Sequence, residues 1–381
     1  MANRYWVGGT GTWDTSSTTN WSTSSNGSSG ASAPTSADDV FIDTSSGTGT
    51  ITCTGAVCNN LTVTASQAIT LGATSSTLSV YGNLSLPSGG SFAVATASGW
   101  NITFAATTTG KTITTNGKTL TNIIFNGVGG EWTLQDAITS NTTNKTLTLT
   151  NGSFNANGFS VTFGLFSSSN SNTRTLTLGN GLWTLTGTAT IWTTSTTTGL
   201  TFNKGTSDIL LSDTSVSSRT FTAGGLTFNK LTIGGTTGTS TLVLSTAATF
   251  SELASTKTVA HTIQISAGIT ITATTWSVTG TSGNVVTLQS ASFPTTQATV
   301  AITNKTVNID YLTINAIASS NIDPVTFYAG ANSTNGANNT GIAFVARTTA
   351  TPTVVHLLTG PTASNGTWTV QINYKALGNI N

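Results

Sequence analysis

Short runs in which apolar residues alternate with threonine or serine are the feature that most constrains the fold of this chain. The clearest examples are residues 146–150 (TLTLT), 159–163 (FSVTF) and 182–186 (LWTLT). A period of two places successive side chains on opposite faces of a strand. Asn-Gly, Gly-Asn and Ser-rich segments, which suit tight turns, interrupt the runs. The pattern predicts strands joined by turns along nearly all of the chain.

The composition favours an all-β, soluble and elongated protein. Threonine makes up about a quarter of the 381 residues, and branching at Cβ favours strands. Forty glycines against six prolines fit many tight turns. A net charge of +1 offers no basic surface for phosphates, and no apolar run approaches the roughly 18 residues of a membrane helix. We therefore expect neither a nucleic-acid partner nor a membrane span.

The first residues, MANRYW, contain neither an apolar core nor a small-residue cleavage site of the kind that marks a signal peptide. We therefore expect synthesis in the cytoplasm of a host cell without export by the general secretory route. This expectation weighs against a secreted bacterial adhesin.

A repeated pentapeptide suggests how the strands are arranged. Residues 200–204 and 226–230 both read LTFNK, and the 26-residue interval is in the range of one solenoid coil. Coils of about 20–28 residues predict about ten to thirteen turns and a shaft of roughly 50–60 Å. We predict a right-handed parallel β-helix. An array of antiparallel sandwiches is the alternative, but two-residue hairpin turns do not dominate.

Changes in sequence texture divide the chain into four parts. Residues 1–43 are expected to form an N-terminal cap or attachment block, and 44–320 the β-helix shaft. Residues 321–345 are expected to form a terminal coil, and 346–381 a C-terminal β segment. Two apolar runs in the last part indicate an antiparallel pair that caps the helix or contacts a neighbouring subunit.

The N-terminal block contains the candidate attachment residues, which are Trp6, Trp13, Trp21, Asp38 and Asp39. Two interpretations of the tryptophans are open. They cover the exposed end of the solenoid core, or they dock the protein on a larger particle. We favour the capping role.

The sequence offers few candidates for catalysis. Glycosidases built on β-helices use two carboxylates, one as acid and one as base or nucleophile. The closest pairs along the chain are Asp38 and Asp39, Glu131 and Asp136, and Asp208 and Asp213. The first pair points to opposite faces of an extended strand, and the last flanks an apolar run at turns. We predict no catalytic residue and no cofactor.

The remaining reactive side chains are also expected to be structural. Cys53 and Cys58 are too few for a disulfide framework and lack further zinc ligands nearby, so we expect two buried free thiols. His261 and His356 lie in strand-like runs without a nucleophile to pair with. Residues 8–14 (GGTGTWD) resemble the calcium-binding repeat of RTX solenoids, but the aspartate is displaced by one position and the motif occurs once. We predict no metal.

Many Thr-x-Thr triplets raise the alternative of an ice-binding β-helix. Ice binding requires the triplets to lie in register on one flat face at every coil. Their irregular spacing along the sequence argues against it.

Three segments of the N-terminal block resemble structural proteins of tailed bacteriophages: residues 5–14 (YWVGGTGTWD), 20–22 (NWS) and 34–41 (PTSADDVF). Residues 327–344 are similar to the terminal coil of the same proteins, with Ile342 where an aromatic residue is expected. Autotransporter passengers open with a similar block, but their signal peptide and membrane barrel are not expected here. The resemblance implies a β-helical virion component and no catalytic residues.

These observations predict a non-enzymatic structural protein of the virion surface, a tail fibre or appendage or a capsid decoration or head fibre. The expected partners are two further copies in a homotrimer, other virion proteins and host-surface glycans. The alternatives are a bacterial adhesin with a β-helix passenger and a tailspike glycan hydrolase.

Overall fold

The computed structural model describes residues 2–140, 144–212, 214–235, 237–303, 306–320 and 326–347. The described residues contain strands and no helix, and the strands stack in parallel into a β-solenoid of about 12 turns. The all-β class and the β-solenoid architecture predicted from the sequence are thereby confirmed. None of the described residues forms a helix that could cross a membrane.

Each turn of the solenoid supplies strands to three parallel ladders, which form its three faces. Ladder one contains β1 (Asn3–Trp6), β4 (Asp39–Ile42), β7 (Leu61–Val63), β10 (Leu84–Ser85), β13 (Lys111–Thr114), β19 (Arg174–Thr177), β22 (Leu200–Asn203), β31 (Ala298–Ile302) and β34 (Ile317–Ser319). A short strand, β3 (Trp21–Ser22), runs antiparallel to β1.

Ladder two begins with β2 (Gly11–Trp13) in the first turn and ends with β37 (Ile342–Ala343) in the last described turn. It also contains β5 (Gly49–Cys53), β8 (Ile69–Leu71), β11 (Ala93–Val94), β15 (Ile138–Thr139), β17 (Val161–Phe163), β20 (Trp183–Leu185), β23 (Asp208–Leu211), β32 (Val307–Asn308) and β35 (Phe327–Tyr328).

Ladder three is paired without a break from β6 (Ala56–Cys58) to β36 (Thr334–Asn335). It also contains β9 (Thr77–Val80), β12 (Asn101–Phe104), β18 (Leu165–Ser167), β21 (Ala189–Thr193), β24 (Arg219–Thr222), β26 (Thr241–Leu244), β28 (His261–Ile265), β30 (Val286–Ser290) and β33 (Leu312–Asn315).

Five longer strands bend around a corner and belong to two ladders each. They are β14 (Asn122–Leu134), β16 (Thr146–Asn155), β25 (Thr227–Ile233), β27 (Ala248–Ser255) and β29 (Thr270–Ser277). The bend in β16 falls at Asn151-Gly152, where the sequence predicted a turn. Gly152 has a φ of 75°, and a Cβ there would collide with the carbonyl oxygens of Gly127 and Gly130 in the preceding turn.

The apolar positions of the alternating runs point inward and form one continuous core. Aromatic rings follow the axis from coil to coil. Phe125 stacks on Phe104 and on Phe154, with ring centroids 5.1 and 4.6 Å apart. Trp192 stacks in the same way on Phe221 at 5.5 Å. Phe104 and Phe125 are register partners in adjacent coils, as are Trp192 and Phe221, so the parallel pairing stacks these rings. Phe154 lies on ladder one, where its register partner is Trp132, and it meets Phe125 across the core.

Amide side chains link the coils at one corner of the solenoid. Asp39 Oδ1 accepts a hydrogen bond from Asn60 Nδ2 at 2.8 Å, and Asn60 Oδ1 accepts one from the Asn83 amide at 2.7 Å. Asn83 Oδ1 in turn accepts from the Thr112 amide at 2.8 Å. Hydrogen bonds from these side chains therefore connect four successive strands of ladder one at this corner.

The predicted N-terminal block of residues 1–43 shares the ladders of the shaft. β1 pairs in parallel with β4, and β4 with β7, so the block forms the first turn of the solenoid. At the other end, β35, β36 and β37 continue ladders two and three. The predicted C-terminal pair in 346–381 lies almost entirely outside the described residues.

Two leucines three residues apart allow a test of how much an inward-facing side chain contributes to the free energy of unfolding. Leu185 is 1% exposed in the core, whereas Leu182 is 42% exposed. We expect Leu185→Ala to lower the free energy of unfolding by about 2–5 kcal/mol, because it removes buried methyl groups and leaves a cavity. Leu182→Ala should change it by no more than about 0.5 kcal/mol. Guanidinium unfolding of both variants measures the difference, and equal losses would contradict the assigned register of this strand.

Candidate functional site

The three tryptophans of the N-terminal block lie inside the first turn. Trp6 and Trp13 each meet Trp21 edge to face, with ring centroids 5.1 and 5.2 Å apart, and all three side chains have 0% exposure. The Trp6 indole N–H donates to the Gly9 carbonyl at 2.8 Å. These rings fill the end of the core in the capping role, and none presents surface to a docking partner.

A second aromatic pair in the same block faces outward. The rings of Tyr5 and Phe41 stack with centroids 4.9 Å apart, and both side chains are half-buried on the outer face of ladder one. The period-two alternation contains this signal, because Phe41 falls between the inward-facing Val40 and Ile42. The pair was not among the attachment residues predicted from the sequence, whose aromatic members were all tryptophans.

Asp38 anchors the beginning of the chain. Its Oδ1 accepts from the Ala2 amide at 2.8 Å, and its Oδ2 from the amide and hydroxyl of Thr35 at 3.0 and 2.7 Å. Burial alone would raise the pKa of Asp38, but these hydrogen bonds and the nearby Arg4 hold the pKa below its usual value. Asp39 points the other way, as predicted, and bonds to Asn59 and Asn60 at the corner.

In each of the other two carboxylate pairs that the sequence offered, one member accepts structural hydrogen bonds. Asp136 accepts from the Thr115 amide at 2.8 Å and from the Asn116 amide, and Glu131 lies apart from it on β14. Asp208 accepts from Asn229 Nδ2 at 2.7 Å. Its proposed partner, Asp213, lies outside the described residues.

A column of charged side chains follows the outer face of ladder two. The parallel register places Asp208 beside Lys230 and Lys230 beside Glu252 in successive coils. Lys230 Nζ and Glu252 Oε2 form an ion pair at 3.0 Å. The lysine therefore lies between the two carboxylates, an arrangement that favours an ion-pair column over an acid–base pair.

His261 is buried and hydrogen-bonded, and one of its partners is a serine hydroxyl that the spacing in the sequence did not suggest. It is 4% exposed; its Nδ1–H donates to the Val259 carbonyl at 2.8 Å, and its Nε2 accepts from the Ser255 hydroxyl at 2.9 Å. Burial lowers the pKa of His261, and the positive charges of Lys257 and Arg219 lower it further, although the bond to Val259 acts in the opposite direction. His356 lies outside the described residues.

The structure also buries an arginine that the sequence did not single out. Arg174 is 1% exposed, and its guanidinium donates five hydrogen bonds. Ser168 accepts two of them, through its hydroxyl at 2.7 Å and its carbonyl at 3.1 Å, and the other three go to carbonyl groups of residues 172, 196 and 198. All five N–H groups are thereby satisfied, and the cation ties two adjacent coils together. Burial lowers the pKa of Arg174.

Asp14 is the aspartate of the segment that resembles a calcium-binding repeat. The Asp14 side chain accepts from the amides of Ser16 and Ser17 at 2.8 and 2.6 Å and so caps its own turn. In the described part of the chain, no group of three or more His, Cys, Asp or Glu side chains could hold a metal ion.

A shallow groove of about 470 Å³ crosses the outer face of ladder three. Hydroxyl, amide, aliphatic and aromatic groups line it, and none of the described lining residues is ionisable. The lining residues are Asn101, Asn122, Ile124, Thr146, Thr148, Leu165, Phe166, Ser167, Thr190 and Thr193. A neutral groove with many hydrogen-bonding groups suits an uncharged polar ligand better than an acidic one.

Comparison of the chain with protein-family models, with curated proteins and with solved structures found no match.

Asp38 should make the stability of the protein sensitive to acid. A carboxylate whose pKa is depressed in the folded state stabilises the fold above its unfolded pKa, and that contribution is lost as the pH falls through the folded pKa. Asp38→Asn should lower the free energy of unfolding at pH 7 by about 1–3 kcal/mol, because an amide N–H₂ then meets the donors of Thr35 or Ala2. Its stability should also fall less steeply below pH 4 than that of the wild type.

Thermal unfolding of Asp38→Asn between pH 2 and pH 7 measures both effects. Glu131→Gln is the matched control, since this carboxylate lies half-buried on the outer side of β14. Parallel pH profiles for Asp38→Asn and the wild type would contradict the role of Asp38.

The two cysteines are free and buried, as expected. Burial raises the pKa of both thiols far above the usual value, which suppresses the reactive thiolate. We therefore expect no reaction of Cys53 or Cys58 with an aromatic disulfide reagent at pH 8 until denaturant is added. Rapid labelling of two thiols in the native protein would contradict this burial.

Proposed function

We propose that this chain is a non-enzymatic structural protein of the virion surface of a tailed bacteriophage. The observation that carries the proposal is the position of the segment that resembles phage structural proteins. Residues 3–42 form the first turn of a continuous shaft and supply its aromatic cap. A rod of about 12 turns at roughly 4.8 Å per turn extends close to 60 Å from such an end.

The hydrogen-bond and ion-pair partners of the carboxylates favour a structural role over sugar cleavage. Nine carboxylates lie in the described part of the chain, and eight of them have hydrogen-bond or ion-pair partners within the protein. These eight are Asp14, Asp38, Asp39, Asp43, Asp136, Asp208, Glu252 and Asp310. The partners are mainly turn amides, amide side chains and one lysine, which serve to hold corners of the coil.

The outer surface supplies candidates for both contacts that a virion protein needs. The stacked pair of Tyr5 and Phe41 at the first turn is the candidate for attachment to the particle, since the tryptophans are buried. The neutral groove on ladder three is the candidate for contact with host-surface glycans. A homotrimer would present three such grooves.

Localisation on intact particles tests the proposal. Antibodies against the recombinant chain should label virions purified from the source of the sequence. Label on the shell would assign capsid decoration or a head fibre, and label at the tail would assign a fibre or appendage. Virions that carry no label, from a lysate in which the protein is present, would overturn the proposal.

The attachment surface can be tested in the same experiment. Tyr5→Ala with Phe41→Ala should reduce incorporation into particles while the protein stays folded, because it removes the outward aromatic pair and leaves the core intact. Leu182→Ala, which also trims an exposed apolar side chain, should be incorporated as the wild type is.

A further inference from the structure

The outer face of ladder one carries a long array of small polar side chains. Over six coils, the two outward positions of each coil contain only threonine, serine and asparagine. They are Ser153 and Asn155, Thr175 and Thr177, Thr201 and Asn203, Thr227 and Asn229, Thr249 and Ser251, and Thr272 and Thr274. None is charged and none is longer than asparagine, so the face lacks projecting side chains. We call it the hydroxyl face.

Strand register aligns these residues along the shaft. Ser153, Thr175 and Thr201 are direct partners in successive coils, and their companions Asn155, Thr177 and Asn203 are aligned in the same way. Thr227, Thr249 and Thr272 form a second aligned set. Under the junction between the two sets, the rings of Phe202 and Phe228 lie 5.2 Å apart, so the coils are adjacent there too.

The irregular spacing of the Thr-x-Thr triplets along the chain argued against ice binding. The alignment in the structure removes this objection. The intervals from residue 153 to 175 and from 175 to 201 are 22 and 26 residues, and those from 227 to 249 and from 249 to 272 are 22 and 23. Because the corners absorb the differences in length, irregular spacing along the chain coexists with regular spacing on this face.

The array has two regular spacings. Coils repeat at about 4.8 Å along the shaft, and positions i and i+2 of a strand lie about 6.6 Å apart across it. These repeats are close to the spacings between water oxygens on the prism face of hexagonal ice. Threonine χ1 is restricted by branching, and the ladder holds the backbone, so the hydroxyl positions are set before any ligand binds.

The hydroxyl groups at the centre of the array are available to water. Within the described part of the chain, the side chains of Thr175, Thr201, Thr227, Thr249 and Thr272 make no hydrogen bond to protein atoms, and Thr201 and Thr227 are exposed. Each hydroxyl can anchor one water, while the neighbouring methyl groups restrict the orientations of the waters between them. A flat surface of this kind favours an ordered layer of water.

We propose that the hydroxyl face binds ice. The other two faces differ from it in ways that disfavour a flat contact. Ladder three carries the groove and the long side chains of Gln264 and Gln289, and ladder two carries the charged column with Lys230 and Glu252. The proposal is independent of a position on a virion, so the failure of either leaves the other standing.

Thermal hysteresis and incorporation into growing ice test the proposal on the full recombinant chain. The wild type should shape ice crystals, hold their growth below the melting point and enter a slowly grown ice hemisphere. Thr201→Lys with Thr227→Lys places two long charged side chains at the centre of the array, and both effects should fall to the level of buffer. Thr262→Lys with Thr287→Lys is the matched control, because these threonines point outward in register on ladder three.

The control variant should behave as the wild type, and circular dichroism should show that both variants are folded. Exclusion of the wild type from ice would overturn the proposal. Equal loss in the two variants would also overturn it, because the effect would then not belong to the hydroxyl face. Binding of a neutral polysaccharide that only the Thr201 and Thr227 variant loses, without ice binding by the wild type, would assign the face to glycans instead.

Discussion

The parallel hydrogen-bonded ladder between successive coils is the interaction on which the rest of the structure depends. It fixes the spacing of the coils at about 4.8 Å and aligns equivalent positions of neighbouring strands. Inside, the alignment stacks Phe104 on Phe125 and Trp192 on Phe221. At a corner, it brings Asp39, Asn60 and Asn83 within hydrogen-bond distance. On the outer surface, it aligns threonines that are distant in the sequence into columns.

The same regularity explains how a chain with so few charges tolerates polar groups in its interior. Arg174 is buried, and carbonyl groups and Ser168 of neighbouring turns accept hydrogen bonds from all of its N–H groups. Asp38 is buried where two amides and a hydroxyl converge on it. In both cases the strand ends leave unpaired backbone groups at fixed positions, and one side chain satisfies several of them at once.

Much of the fold followed from local pattern, and what did not follow was non-local. The alternation of residues such as Leu147 and Leu149 with threonine predicted the strands and their inward faces, and the low charge excluded several partner classes. Asn151-Gly152 predicted a break, whereas β16 continues through it, because the positive φ of Gly152 bends the strand without ending its pairing. The burial of Arg174 has no local signal, since its acceptors lie on a neighbouring coil as well as its own.

The candidate sites also divide into features that local sequence predicts and features that depend on non-local register. Burial of Trp6, Trp13 and Trp21 was the favoured interpretation because large rings suit the end of a core, and it is what the structure contains. The hydroxyl face was out of reach of the sequence, because the number of residues in each corner decides which threonines align. A sequence with intervals of 22, 26, 22 and 23 residues gives no sign that the threonines form two aligned sets.

Pulsed electron–electron resonance between spin labels at two outward positions of ladder one tests the stacked register most directly. Thr62→Cys and Thr272→Cys place the labels on β7 and β29, which are nine coil steps apart. At about 4.8 Å per step, the account predicts one narrow distance distribution centred near 43 Å, broadened only by the label linkers. A distribution centred far below that distance, or one spread over tens of ångströms, would contradict a single continuous solenoid.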